Sequence, residues 1–270
     1  MRRKVGFVTH PDCSLHNWPS HAENAQRTDA VEHHFETIGL TQQLIAISAR
    51  EATKDELALN HESGYIERLA QSRPRGVQML DGDTYINEHS WRAALLSYGG
   101  ALLAVEKVLT GEWERAFCLL RPPGHHAMSD HAMGFCLFNN IAGAARVAQK
   151  RFEIERVAIV DFDVHHGNGT QWSFYQDSTV HYTSLHQYPF YPGSGASYET
   201  GTGIGEGFTL NFPLSAGTDG KTALALFEPE FCGAMAMFRP NLVLISAGFD
   251  AHKDDPLASL RFEDEDYRTI

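Results

Sequence analysis

The sequence predicts an α/β fold, a single domain in which a mainly parallel β-sheet is flanked by helices. Three observations carry this expectation: short apolar or β-branched runs recur along the chain, helical patterns separate several of them, and polar or Gly-rich clusters follow four of the runs directly. In chain order, residues 4–9 form the first buried strand, 90–109 the clearest helix and 116–120 the next strand. A helix over 141–150 precedes strands at 157–161, 180–184, 208–212 and 242–246, and EDEDYRTI at the end reads as a polar helix start. The chain shows no internal repeat and no low-complexity linker. In open α/β sheets the site lies at the carboxyl ends of the strands, so the clusters after Leu120, Val160, Ser184 and Ser246 converge on one rim if their strands are neighbours.

Composition narrows the function classes. The 270 residues allow one large domain or two small ones, and 34 acidic against 22 basic residues give a formal net charge of -12. That balance excludes a phosphate-coating nucleic-acid binder. Cys13, Cys118, Cys136 and Cys232 stand far apart, form no C-x-x-C pair and read as reduced, mostly buried thiols of a cytoplasmic protein. Behind the basic start MRRK the apolar run ends at Thr9, too short for an export signal, and no run approaches the ~18 apolar residues of a membrane span. The unusual count is 15 histidines, many of them clustered. Clustered imidazoles point to metal or proton chemistry.

Four clusters carry the chemistry: RPPGHHA (121–127), DFDVHHGNGTQ (161–171), SLHQYPFYPGSG (184–195) and AGFDAHKDDP (247–256). On an extended segment residues two apart face one side, so Asp161, Asp163 and His165 share a face at a strand end. A solvated strand end explains one acidic residue, whereas three same-face ligands favour a metal site, with Asp250 contributed from a further strand. Two carboxylates and one imidazole leave a position open, as a catalytic site requires. The donor set suits Zn2+, with Fe2+ or another divalent ion as the alternative. Adjacent residues rarely chelate one ion together, so His125 and His126 read instead as a pair dividing proton work. Asp161 and Asn168 are candidate partners: an Asp favours the imidazolium, and a neutral Asn leaves its histidine free to act as a base.

These clusters, with GFCLFNN (134–140), HESGYIERL (61–69), DGDTYINEHSWRAALLSYGGAL (81–102) and GTGIGEGFTLNFPL (201–214), resemble the zinc-dependent histone deacetylase superfamily, particularly its class II-like and bacterial amidohydrolase members. The resemblance spans nearly the whole chain and implies an arginase/deacetylase-like fold, with residues 1–270 as one catalytic domain. It implies that Asp163, His165 and Asp250 bind zinc, that His125 is an electrostatic partner buttressed by Asp161, and that His126, beside Asn168, acts as general base and then acid. Gly134, Phe135 and Tyr191 would line a narrow acyl channel. A K+ or other monovalent cation would bind through the Asp161–His165 strand with Ser184 and Leu185, or through Phe174, Asp177 and Val180. The implied substrates are an acylated lysine in a peptide or protein, or a small acylated amine such as an acetylpolyamine.

Two departures accompany the resemblance. Catalytic members carry a tyrosine in a Gly-Gly-Tyr turn some forty residues past the last metal-binding aspartate, and only 20 residues follow Asp250 here. Tyr267 lacks that context and receives no such role. The expectation is therefore a C-terminally incomplete catalytic domain with an exposed edge or apolar face, or else an impaired acyl-lysine-binding module. Secondly, HAENAQR (21–27) lacks the family's His-Pro-Glu-x-Pro pattern, so no role falls to His16, His21 or Glu23; His33 and His34 fall in a predicted helix. Asp81 and Asp83 are loop carboxylates that either orient substrate or are simply solvated. Two rival enzyme readings fail. A dinuclear manganese site wants a carboxylate at Gly167, and the zincin motif H-E-x-x-H is broken by Tyr65.

Overall fold

The computed structural model describes residues 4–270; Met1, Arg2 and Arg3, the start of the basic MRRK stretch, lie outside the described residues. The chain divides into two compact units, Met1–Glu153 and Ile154–Ile270. Both are α/β, and the expected parallel strands are shared between their sheets.

The first unit runs β1 (Val5–Thr9), α1 (Gln26–Thr37), β2 (Ile45–Ser48), α2 (Lys54–Leu57), α3 (Ser63–Gln71), β3 (Gln78–Met79), β4 (Tyr85–Ile86), α4 (Ser90–Leu109), β5 (Arg115–Cys118) and α5 (Asn140–Phe152). Its parallel sheet has the order β2-β1-β5, with Val8 opposite Ile47 on one side and Cys118 on the other. Val8, Cys13, Leu96 and Trp113 form part of the core between sheet and helix. Fully burying apolar side chains of this size contributes about 1.5–3 kcal/mol each. α4 keeps the expected bounds, and Asn139 starts α5 one residue earlier than expected by accepting the Ala142 N–H on its side-chain oxygen at 3.1 Å. Glu56, in the capping box of α2, is buried and takes Arg50 on both oxygens, with Arg151 of α5 on one of them. This ties α2 to α5 through a carboxylate held down to about 2, because the two guanidiniums outweigh its burial.

The second unit runs β6 (Val157–Asp161), α6 (Asn168–Phe174), β7 (Val180–Gln187), β8 (Thr209–Leu214), α7 (Gly220–Phe238), β9 (Leu242–Ser246) and α8 (Asp264–Thr269). Its parallel sheet has the order β8-β7-β6-β9, and Asp161 is level with Ser184 and Ser246. Every residue of β6 and β7 is buried, as central strands of a parallel sheet should be. Val160, Leu185, Phe212, Phe227 and Phe262 build the core. β9 is bonded on one side only, and its Val243 and Ile245 are 51% and 59% exposed.

Three of the four clusters therefore start from neighbouring strands, β6, β7 and β9, at one end of one sheet. The fourth, 121–127, follows β5 in the sheet of the first unit. Cys13 and Cys136 are buried as expected, but Cys118 and Cys232 are exposed residues, the first on an edge strand and the second on the outer side of α7; all four are free thiols. Among the described residues no helix is long and apolar enough to cross a membrane.

Candidate metal centre and tandem-histidine loop

In the second unit, Asp161 ends β6 fully buried, and its carboxylate accepts the Asp163 N–H at 3.2 Å and the Tyr182 hydroxyl at 3.3 Å. The chain turns there, so that Asp163 and His165 face Asp250 from the loop after β9. His165 Nδ1 lies 3.0 Å from Asp163 Oδ1 and 3.0 Å from Asp250 Oδ2. One ligand atom from each of the three residues lies within 4.8 Å of the other two. Backbone bonds fix the carboxylates: Asp163 accepts the His165 N–H at 2.9 Å and Asp250 the Val164 N–H at 3.0 Å. Asp161 is not among the three ligand candidates. It serves from behind, orienting the Asp163 backbone.

The electrostatics of the three show what the nest accepts. Burial alone would lower His165, yet the hydrogen bonds and charges of Asp163 and Asp250 raise it to about 10. Asp250 is raised by burial and by the nearby Asp163. Two carboxylates and one imidazole nitrogen converging this closely are a donor set that a divalent ion can bind. The residues thus fit a metal ion.

Around the nest, Phe190 stacks on the His165 ring at 5.3 Å and 23°, and Tyr191 meets it edge-on at 6.1 Å. The predicted channel residue Tyr191 is thereby brought to the metal ligands, and Phe190 is a neighbour that the sequence reading missed although it stands in the same SLHQYPFYPGSG cluster. Tyr267 donates its hydroxyl to the Phe249 carbonyl at 3.1 Å, directly before Asp250, and packs against Phe162 and Phe249. Its proton is committed to holding that loop. Asn168, nearly buried, begins α6.

In the first unit, His125 and His126 are 7% and 3% exposed, their rings 3.9 Å apart. Gly134 and Phe135 are consecutive residues with positive φ, 56° and 67°. At Gly134 a Cβ would collide with the His126 ring, so only glycine lets the backbone pass. Phe135 pays for a conformation that side chains avoid, and is held there by its N–H donating to Thr84 Oγ1 at 3.0 Å and by the edge of His21 at 5.0 Å. The structure thus brings the predicted Gly134 against His126, while Phe135 meets Thr84 and His21. Thr84 in turn donates to Asp83, whose carboxyl is raised by burial and by Asp81.

What the sequence reading left unassigned supports this loop. Glu23 is fully buried and takes Arg121, the first residue of RPPGHHA, on both oxygens at 2.6 and 2.5 Å, while Arg121 also donates to the His16 carbonyl. His16 stacks on Tyr85 at 4.4 Å, and burial lowers it to about 4. The departure of HAENAQR from the family pattern concealed Glu23; the buried Arg ahead of the histidines was the available signal, since a buried guanidinium needs a carboxylate. His61 is equally structural. Its Nδ1 donates to the Met128 carbonyl at 3.0 Å and its Nε2 accepts the Asn139 N–H at 2.9 Å. Tyr65 donates to the Leu137 carbonyl at 2.6 Å, so HESGY clamps both ends of the segment that runs from the tandem histidines to α5.

A parallel α/β fold with an Asp/His/Asp cation nest at strand ends, and a buried tandem histidine, defines a metal-dependent hydrolase class. Residues 21–270 match the family model described as the histone deacetylase domain. The chain belongs to the histone deacetylase family. It is 42% identical over 266 residues to a "Probable deacetylase" of Methanothermobacter thermautotrophicus, covering 98% of this chain and 79% of that protein. It is 43% identical to "Histone deacetylase 15" of Arabidopsis thaliana over 94% of this chain, but spans only 47% of that relative, and 60% of the length of "Histone deacetylase 10, chloroplastic" of Oryza sativa. Among solved structures, the one titled "Crystal Structure of HDA15 HD domain" matches with a TM-score of 0.96 at 38% identity, covering 100% of this chain and 78% of that one. Deacetylase or amidohydrolase chemistry is the function its relatives carry by name.

Proposed function

We propose that this protein is a zinc-dependent amidohydrolase that removes acetyl or related acyl groups from lysine or a similar amine, residues 1–270 forming its catalytic domain, in the cytoplasm. The observation that carries the reading is the convergence of Asp163, His165 and Asp250 on one point with a cation-seeking charge. When bound there, the metal supplies a Lewis acid that acidifies water and polarises the acyl carbonyl.

The remaining roles belong to the chain's own residues. His126 takes a proton from the attacking water and returns it to the leaving amine, so that the C–N bond breaks as amine and carboxylate form. The family resemblance assigns the uncharged Asn168 as the partner that leaves His126 basic, and Asp161 as the partner that favours a positively charged His125. Gly134, Phe135 and Tyr191 are the residues that the family resemblance assigns to the methylene chain of the substrate, which apolar faces accept and bulk water does not. A net charge of -12 draws cationic amines towards the protein. A monovalent cation at Ser184 and Leu185 is part of the same proposal.

The test is hydrolysis of an acetyl-lysine peptide and of an acetylpolyamine by zinc-loaded protein, with His126→Ala alongside. We expect turnover that falls at least about a hundredfold in the variant. Equal rates in parent and variant would reject the assignment. Inhibitor binding with no turnover in either would support the acyl-lysine-binding module instead.

A further inference from the structure

The loop between β7 and β8 carries Phe190 and Tyr191 to the metal ligands, and the second unit holds it with a buried polar array that the hydrolytic reading does not use. Glu199 is its centre. Its Oε1 accepts the N–H of Gly195 at 3.0 Å and of Ala196 at 3.1 Å, and its Oε2 accepts Gln171 Nε2 at 2.6 Å. The Glu199 carbonyl accepts Asn211 Nδ2 at 3.1 Å.

Donor logic fixes the rest. Gln171 Oε1 accepts Asn211 Nδ2 at 2.7 Å, so the contact of the same oxygen with His166 Nε2 at 2.9 Å has the imidazole donating. His166 Nδ1 then accepts the Ser194 hydroxyl at 2.8 Å. His186 repeats the pattern, donating from Nε2 to the Gly195 carbonyl at 2.9 Å and accepting Ser184 Oγ on Nδ1 at 2.8 Å. Gly195, at φ 94°, lies so close over the two rings that a Cβ would strike His186 and His166. Both faces of one peptide segment, Ser194–Ala196, are therefore gripped, only a few positions along the chain from Phe190 and Tyr191. α6 supplies Gln171, β7 supplies His186 and β8 supplies Asn211.

We propose that Glu199, acting through Gln171, is a positioning residue that latches the 188–198 loop and so sets how closely Phe190 and Tyr191 wall the substrate channel. The channel role of those aromatics rests on the function proposed above; the latch itself does not. Glu199 touches neither the metal ligands nor substrate. Its loss loosens the channel wall without removing a group from the chemistry, so KM and the discrimination between short and long acyl chains change while metal affinity does not.

The test uses Glu199→Gln in the full chain. A glutamine there keeps its oxygen for Gly195 and Ala196 but turns an amide nitrogen towards Gln171 Nε2, donor against donor. The double variant E199Q/Q171E restores the pair with the roles exchanged, because a carboxylate at position 171 accepts from the amide introduced at position 199, from Asn211 and from His166 together. Hydrogen–deuterium exchange of residues 188–198, zinc titration, and KM and kcat on acetyl- and longer acyl-lysine peptides are measured in all three proteins. We expect E199Q to raise exchange at Gly195 and Ala196 and KM by about tenfold, with kcat within about threefold and zinc affinity unchanged. The double variant is expected to return both exchange and KM towards the parent. Parental exchange in E199Q, a changed exchange that the double variant does not recover, or a recovered exchange with KM unmoved throughout would each overturn the proposal. If the parent itself hydrolyses nothing, the enzyme reading fails while exchange still decides the latch.

Discussion

His61 and His165 are both shielded from solvent and both hydrogen-bonded through Nδ1, yet they titrate far apart, at about 4 and about 10. His61, in the first unit, faces a carbonyl and a backbone N–H; nothing there rewards a charge, so burial wins. His165, in the second, faces two carboxylates that outweigh the same burial. Residue type and burial therefore do not separate a structural histidine from a metal ligand. The charge of the neighbours does. Arg121 and Glu23 show the first unit using charge for another purpose, a buried guanidinium–carboxylate pair that braces the loop.

The sharpest way to break this contrast is to remove a neighbour of His165. Asp250→Ala is expected to cost more zinc affinity than the roughly 10–100-fold typical of losing an outer hydrogen-bond partner, because a ligand itself is gone. Isothermal titration measures it, and near-parental affinity would take the nest out of the metal-binding role. Next in size is Arg121→Met, which removes both short bonds to the buried Glu23 carboxylate and leaves it the longer contacts to Arg27, at 3.7 Å, and Tyr85, at 3.4 Å; it is expected to destabilise the fold by up to about 3–5 kcal/mol in urea unfolding. Adding Glu23→Gln should recover part of that loss; no recovery would mean that the pair is not the source of the stability.

The smallest effect concerns pH. His61 titrates at about 4 in the folded chain against an ordinary value near 6.5, so the unfolded state takes up its proton first. Stability from this site is complete above about pH 6.5 and falls by about 3 kcal/mol as pH drops through 6.5 to 4. In His61→Gln that part of the acid slope should vanish. An unchanged slope between pH 6.5 and 4 would show that His61 is not held neutral by its surroundings.

Much of the site was legible because its chemistry is local. Asp163 and His165 stand two apart directly after a strand, and they do meet; Asp161, expected on the same face, does not join them, because β6 ends there and the chain turns. The tandem histidines and Gly134-Phe135 lie within a few positions of one another, and the structure packs Gly134 against His126. The long strands were legible from their apolar runs, although β5 and β9, expected to be buried, are largely half-buried or exposed. The long helix α7 was not, because Pro229 interrupts its pattern and much of its surface is apolar without a clear stripe; nor was the short β2, whose residues are mostly exposed.

The sequence by itself determined the parallel α/β class and the family and named the residues proposed for the metal nest, since each reading depends on residue type and on short motifs. Only the tertiary structure decided which distant polar residues meet. Glu23 meets Arg121 across 98 positions, His61 meets Asn139 across 78, and Glu199 meets Gln171 across 28. No periodicity encodes such pairs. They exist because folding buries polar groups, and a buried polar group must find whatever partner the packed chain brings within reach.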